Sequence, residues 1–85
     1  MIYDVLFTRA AEHDFDRLSA HDQRRVDDAI TRLATAEIGN VRRLTDRGDE
    51  LRLRVGVLRV RFLIDHEAGR IIISRILPRG RAYRA

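Results

Sequence analysis

Leu51-Arg52-Leu53-Arg54-Val55-Gly56-Val57-Leu58-Arg59-Val60-Arg61-Phe62 is the stretch that decides the fold. Apolar residues alternate with arginine on both sides of Gly56-Val57. Period-two alternation marks a half-buried strand, and Gly-X between two such runs marks a two-residue hairpin turn. With Gly56 and Val57 as the turn, Val55 faces Leu58, Arg54 faces Arg59, Leu53 faces Val60, Arg52 faces Arg61 and Leu51 faces Phe62. One side of this ribbon is wholly apolar. The other is expected to be an open face of four guanidiniums in like-charge cross-strand pairs. Such pairs repel by up to ~1 kcal/mol each. On this reading Arg54→Ala or Arg59→Ala leaves stability unchanged or slightly raised. A polyanion is the natural complement of such a face, and phosphate matches the guanidinium fork bidentately.

Working outward, Met1 to Phe7 reads as a short strand. Thr8 is a candidate N-cap for a helix in which Ala11, Phe15 and Leu18 recur at helical spacing. Ser19 and Asp22 resemble a capping box that opens a second helix to about Ala36, with Val26, Ala29, Ile30 and Leu33 in one stripe. Gly39-Asn40 supplies a C-terminal stop. Val41 to Glu50 reads as loop, with Asp46, Gly48 and Asp49 as turn formers and Leu44 as anchor. Beyond the arginine hairpin, Asp65 to Arg70 turns around Gly69. Ile71 to Leu77 is then an apolar, β-branched strand that Pro78 ends. The order β-α-α-β-β-β gives one α+β domain over residues 1–85. An antiparallel meander is joined by the N-terminal strand, and a two-helix hairpin covers one face. Which edge the first strand takes is left open.

Composition narrows the function classes. The chain has 85 residues and no cysteine, so a disulfide frame and a thiolate metal site are both excluded. No apolar run approaches the ~20 residues that span a bilayer, the N-terminus does not read as a signal peptide, and a reducing cytoplasm is the expected location. The formal net charge is +4, and all seventeen basic residues are arginine. Genomic base composition accounts for the absence of lysine but not for the asymmetry between halves. Residues 1–40 carry five Arg against eight acids (−3), and residues 41–85 carry twelve against five (+7). A basic C-terminal half points to nucleic acid or to an acidic protein partner.

Most catalytic constellations are missing. His13, His21 and His66 lie on separate elements without metal-ligand spacing, and Ser19 and Ser74 lack histidine–acid neighbours. The glycines are isolated turn positions, not a phosphate loop. No metal or cofactor is expected. What remains is arginine and one tyrosine: Arg52, Arg54, Arg59 and Arg61 on the sheet, then Arg79, Arg81 and Tyr83 after the last strand. Fixed cations with a phenol suit phosphodiester cleavage by an internal nucleophile, the 2′-hydroxyl of RNA. Taken alone, these residues favour a non-catalytic anion-binding face.

The span Leu44–Arg84 resembles the RelE/ParE toxin superfamily, specifically its RelE-like branch. The signature is Leu51–Gly56, Leu58-Arg59-Val60, the Ile71–Leu77 strand and the ending Arg79…Tyr83-Arg84. Upstream, Thr8–Ala11, Phe15, Leu18 and the Val26/Ile30/Leu33 stripe fit the family's helical pair. The resemblance implies the toxin of a type II toxin–antitoxin pair, a metal-independent endoribonuclease that cuts mRNA in the ribosomal A site. Its partners would be a cognate antitoxin, in a hetero-oligomer, and the ribosome with its mRNA. Arg54, Arg59, Arg79 and Tyr83 then match catalytic positions and Arg52 a phosphate-contacting one. Arg61 and Arg81 are added cations expected to bind RNA. Pro78 stands where many relatives carry histidine. Alternatives under the same resemblance are a ParE-like gyrase inhibitor, which is not a nuclease, and an inactive antitoxin-bound regulator.

Overall fold

The computed structural model describes residues 3–36, 40–43 and 50–78. Strand β1 (Asp4–Phe7) leads into helices α1 (Arg9–Asp16) and α2 (Ala20–Ala36), followed by strands β2 (Asn40–Arg43), β3 (Leu51–Val55), β4 (Leu58–Asp65) and β5 (Arg70–Pro78). These strands form one five-stranded sheet in the order β1-β5-β4-β3-β2. The expected fold class holds, with one addition. Residues 40–43 are an edge strand, where the sequence reads as loop. With one apolar residue in four positions, this strand has no period-two signal. It exists because Val41 and Arg42 can pair with Leu53 and Arg52 of the strongly specified β3. The expected turn formers within 44–49 lie outside the described residues.

The arginine hairpin forms in the expected register, from Leu51 opposite Phe62 to Val55 opposite Leu58. Gly56 sits at φ +59 in the first turn position, as the hairpin geometry requires of a residue without a Cβ. Strand β1 takes the edge that the sequence leaves open, running parallel to β5 with Leu6 opposite Ile72. The parallel pairing follows from topology, because the two helices carry the chain back across the sheet.

Both helix starts are capped as their sequence implies. The Ala11 amide donates to Thr8 Oγ1 at 3.1 Å, and the Asp22 amide donates to Ser19 Oγ at 3.1 Å. Gln23 Nε2 donates to the Phe15 carbonyl at 2.9 Å, satisfying an end carbonyl of α1. The apolar stripes Ala11 and Val26/Ile30/Leu33 are buried against Leu53, Val60, Phe62, Ile71, Ile73 and Ile76 of the sheet. Phe7 and Phe15 add an edge-to-face pair, with ring centroids 5.9 Å apart. Tyr3 joins this core. It is buried, its amide donates to the Ala34 carbonyl, and its hydroxyl lies 3.2 Å from His66 Nδ1. His66 thus ties the second hairpin turn to the start of β1.

The register of β5 slips between Arg61 and Phe62, leaving Ser74 as an extra residue. This bulge keeps Ile71, Ile73 and Ile76 all on the core side although their spacing is not strictly two. Its consequence for function is that Arg75 falls opposite Arg61.

Candidate nucleic-acid interface

Register places arginines in two rows across the face away from the helices. Arg52, Arg61 and Arg75 are neighbours on β3, β4 and β5, with Arg42 at the corresponding backbone position of β2. One step nearer the Gly56 turn, Arg54 lies opposite Arg59 and Arg59 opposite Leu77. The four cations expected to share a face therefore do share one. They do not share an open one. Arg59 is only 4% exposed and Arg61 only 8%, whereas Arg54 is exposed and Arg52 half-buried. This corrects the expectation of an open four-guanidinium surface.

The difference has a local cause. Alternation reports which side of a strand a residue faces, but not what folds over that side. The arginines of β4 have acceptors within reach, turn carbonyls for Arg59 and a carboxylate for Arg61. Arg59 Nη1 donates to the carbonyls of Gly56 (3.0 Å) and Leu58 (2.9 Å), bracing the hairpin turn. Arg61 Nε donates to Glu50 Oε1 at 2.6 Å, and both side chains of this ion pair are largely shielded from water. Ser74, on the bulge, donates to the Arg61 carbonyl at 3.0 Å and lies 3.4 Å from Glu50 Oε2. Glu50 is thus a carboxylate on the arginine face. It stands at the end of a segment that reads as loop, so its sequence position gives no sign of this partner.

Arg75 has its own carboxylate. Its Nε and Nη2 donate to the two oxygens of Asp14 at 2.8 and 3.2 Å, and the Ile76 amide donates to Asp14 Oδ2 at 2.9 Å. Strand β1 ends opposite Ile73, so the outer edge of β5 beyond that point lacks a paired strand. Thr8 Oγ1, donating to the Ser74 carbonyl at 3.0 Å, and the Asp14 carboxylate take its place. Burial by itself would push the Asp14 pKa up. The hydrogen bonds from Arg75 and the Ile76 amide, with the charges of Arg75 and Arg17, outweigh it and hold the carboxyl below its ordinary value. The same hydrogen bond raises the pKa of Arg75 further. A cavity of about 170 Å³ lies beside this pair, lined by Asp14, Arg17, Leu18, Ile76, Leu77 and Pro78.

Arg61 and Arg75 in the longer row therefore have carboxylate partners, whereas Arg54 in the shorter row has none among the described residues. Strand β5 ends with Leu77 opposite Arg59 and Pro78 opposite Leu58, so the chain leaves the sheet at the Gly56 end. Arg79, Arg81 and Tyr83 follow and lie outside the described residues. No group of three or more metal-ligating side chains occurs among the described residues, and no helix among them is long and apolar enough to cross a membrane.

The sequence profile described as "ParE toxin of type II toxin-antitoxin system, parDE" matches residues 5–83, nearly the whole chain. The chain belongs to the RelE/ParE superfamily of type II toxins. Solved structures agree with this assignment. RelE in the RelE–RelB complex of Pyrococcus horikoshii is 25% identical, with a TM-score of 0.80 over 95% of this chain and 99% of that one. RelBE2 of Mycobacterium tuberculosis, also a toxin–antitoxin complex, is 26% identical, with a TM-score of 0.77 over 93% and 100%. A YoeB/ParE toxin from Agrobacterium tumefaciens shares the fold at 14% identity, with a TM-score of 0.77 over 88% and 96%. Comparison with curated protein sequences gave no match. In this RelE/ParE-type chain the arginine hairpin supplies two interior strands of the sheet, and Asp14 binds the edge of β5 beyond β1.

Proposed function

We propose that this RelE/ParE-type toxin is a ribosome-dependent, metal-independent endoribonuclease that acts in the cytoplasm on mRNA in the A site. The supporting observation is a convergence: Arg54, Arg59 and the exit of β5 lie at one end of the same sheet face. Arg79 and Tyr83 follow that exit directly in sequence. The 2′-oxygen would attack the adjacent phosphorus and the P–O5′ bond would break. The products are a 2′,3′-cyclic phosphate and a 5′-hydroxyl that takes up a proton. Tyr83 orients or activates the 2′-hydroxyl. Arg54 and Arg79 neutralise the phosphorane-like charge, and Arg59 holds the turn and adds its field. Arg52 and Arg81 contact flanking phosphates. The partner that restrains this activity is a cognate antitoxin, as in the RelE–RelB relatives. Arg61 adds a further RNA-binding cation, held in place by its bond to Glu50.

One observation favours a second reading. The matching family profile carries the ParE description, and a ParE-like gyrase inhibitor needs an interaction surface without a catalytic tyrosine. Primer extension on cellular mRNA after induction of this chain alone separates the two. Cuts within codons, slowed roughly 10²–10⁴-fold in Tyr83→Phe if the phenol serves in acid–base catalysis, support the nuclease. Intact mRNA with DNA damage supports the gyrase inhibitor.

A further inference from the structure

The helical layer also contributes a cation to the Gly56 end of the sheet. Arg25 of α2 precedes Val26, which is fully buried under the sheet, so its side chain starts at the rim of the helix–sheet interface. Its guanidinium lies against the hairpin turn. A Cβ at Gly56 would meet Arg25 Nη2 at 2.7 Å and Nη1 at 2.9 Å. Arg59 Nη1 reaches the Gly56 carbonyl from the other side at 3.0 Å. These contacts bound the separation of the two guanidiniums at about 9 Å, allowing for the span from Cβ to carbonyl oxygen within one residue. Gly56 lies between them, so the two guanidiniums stand on either side of the turn. Arg54 lies two residues before Gly56, roughly 7 Å along the strand. Val57, at the tip, is 72% exposed, so the turn projects into solvent.

What distinguishes Arg25 and Arg54 is that neither has a carboxylate partner among the described residues. Arg61 has Glu50 and Arg75 has Asp14. Cations gathered at a projecting turn and left unneutralised from within are placed for an external anion.

We propose that Arg25 of α2 and Arg54 of β3 flank the Gly56 turn as a phosphate clamp for the RNA backbone, braced by Arg59. The clamp rests on the nuclease reading for its ligand, but it extends the interface from the sheet to the helical layer. Gly56 is part of it twice. Its positive φ makes the turn, and its missing side chain leaves room for the Arg25 guanidinium.

The test uses the full chain freed from antitoxin and a short single-stranded oligoribonucleotide, 2′-O-methylated throughout so that it cannot be cut. Binding is measured over a salt series for the parent, Arg25→Ala, Arg54→Ala, the double variant and Arg24→Ala. The last removes the same charge from an exposed neighbour on α2. Each clamp variant is expected to bind several-fold more weakly and to lower the slope of log K against log salt by about 0.7, the loss of one phosphate contact. The double variant should lose less than the two singles combined, because both arms hold one stretch of RNA backbone. Arg24→Ala should match the parent. Equal losses in Arg24→Ala and Arg25→Ala would overturn the clamp, leaving only net charge. So would an Arg25→Ala slope equal to that of the parent. An Arg25→Ala variant that binds RNA normally but loses affinity for the purified antitoxin would also overturn it, in favour of a protein-binding tip. If the parent leaves mRNA uncut but its oligonucleotide binding depends on Arg25, the nuclease reading fails and the clamp stands.

Discussion

Arg54 and Arg59 are paired across two strands, yet one is exposed and the other is 4% exposed. The pair shows how the same residue type on the same face of one sheet does two jobs. On β4, in the middle of the sheet, an arginine becomes part of the structure: Arg59 spans turn carbonyls and Arg61 binds Glu50. On β3, Arg54 stays available. Like-charge repulsion is thus outweighed on β4. A charge-assisted hydrogen bond contributes about 1.5–3 kcal/mol, more than an exposed cross-strand repulsion costs. Substitutions along the two strands should separate the structural group from the ligand-facing one.

The largest effect is expected at the Glu50–Arg61 pair. Glu50→Ala leaves a shielded guanidinium without its carboxylate and should lower stability by about 3 kcal/mol in denaturant titration. Replacing both, as Glu50→Gln with Arg61→Met, should recover much of that loss, because removing both charges avoids the unpaired one. A double variant no more stable than Glu50→Ala would show that the bulge at Ser74, not the charge, sets the cost.

Asp14 comes next. Asp14→Ala removes three hydrogen bonds from the open edge of β5 and should cost about 2 kcal/mol. Its pKa is lowered in the folded chain, so the stability it adds is fully present above the ordinary carboxylate value of about 3.9. That stability is lost as pH falls through the lowered folded value. Asp14→Asn should therefore flatten the acid limb of the stability profile. An unchanged limb would mean that other carboxylates govern acid unfolding.

Arg59→Ala should cost about 1.5 kcal/mol, from the loss of its bonds to the Gly56 and Leu58 carbonyls. This reverses the sequence expectation that Arg59→Ala is neutral. A thermal midpoint within a degree of the parent's would restore that expectation and remove Arg59 from the turn.

The strength of the alternation in residues 51–62 explains why the hairpin, its register and the identity of its arginines are legible. Each step of the pattern repeats the same instruction, and Gly56 fixes the turn. The caps at Thr8 and Ser19 and the Val26/Ile30/Leu33 stripe are legible for the same reason, being local. The carboxylates Glu50 and Asp14 stand 11 and 61 positions from their partners Arg61 and Arg75, a relation that periodicity does not encode. Burial of Arg59 is equally silent in the pattern, because alternation gives the side of the strand and not its cover. Strand β2 escapes sequence reasoning because an edge strand of four residues takes its order from its neighbour. Arg25 carries no signal at all, since in sequence it is one more charge on a solvated helix. The tail positions Arg79 and Tyr83 rest on residue chemistry and the family resemblance, and Arg81 on its charge alone.

The smallest stability effect should belong to the residue with the largest functional one. Arg54 is exposed and has no carboxylate partner among the described residues, so Arg54→Ala should move stability by no more than about 0.5 kcal/mol in either direction. A slight gain is expected, since its repulsion with Arg59 is relieved. Growth arrest on induction should nonetheless be lost if Arg54 meets the scissile or a flanking phosphate. Arg54→Lys sharpens the point: it keeps the charge but gives up the bidentate fork, so partial toxicity would assign the residue to steering and full loss to oriented phosphate contact. Measuring stability and growth arrest on the same Arg54 and Arg59 variants completes the comparison. An Arg54→Ala protein as toxic as the parent would mean that an exposed arginine without a carboxylate is, at this position, only surface.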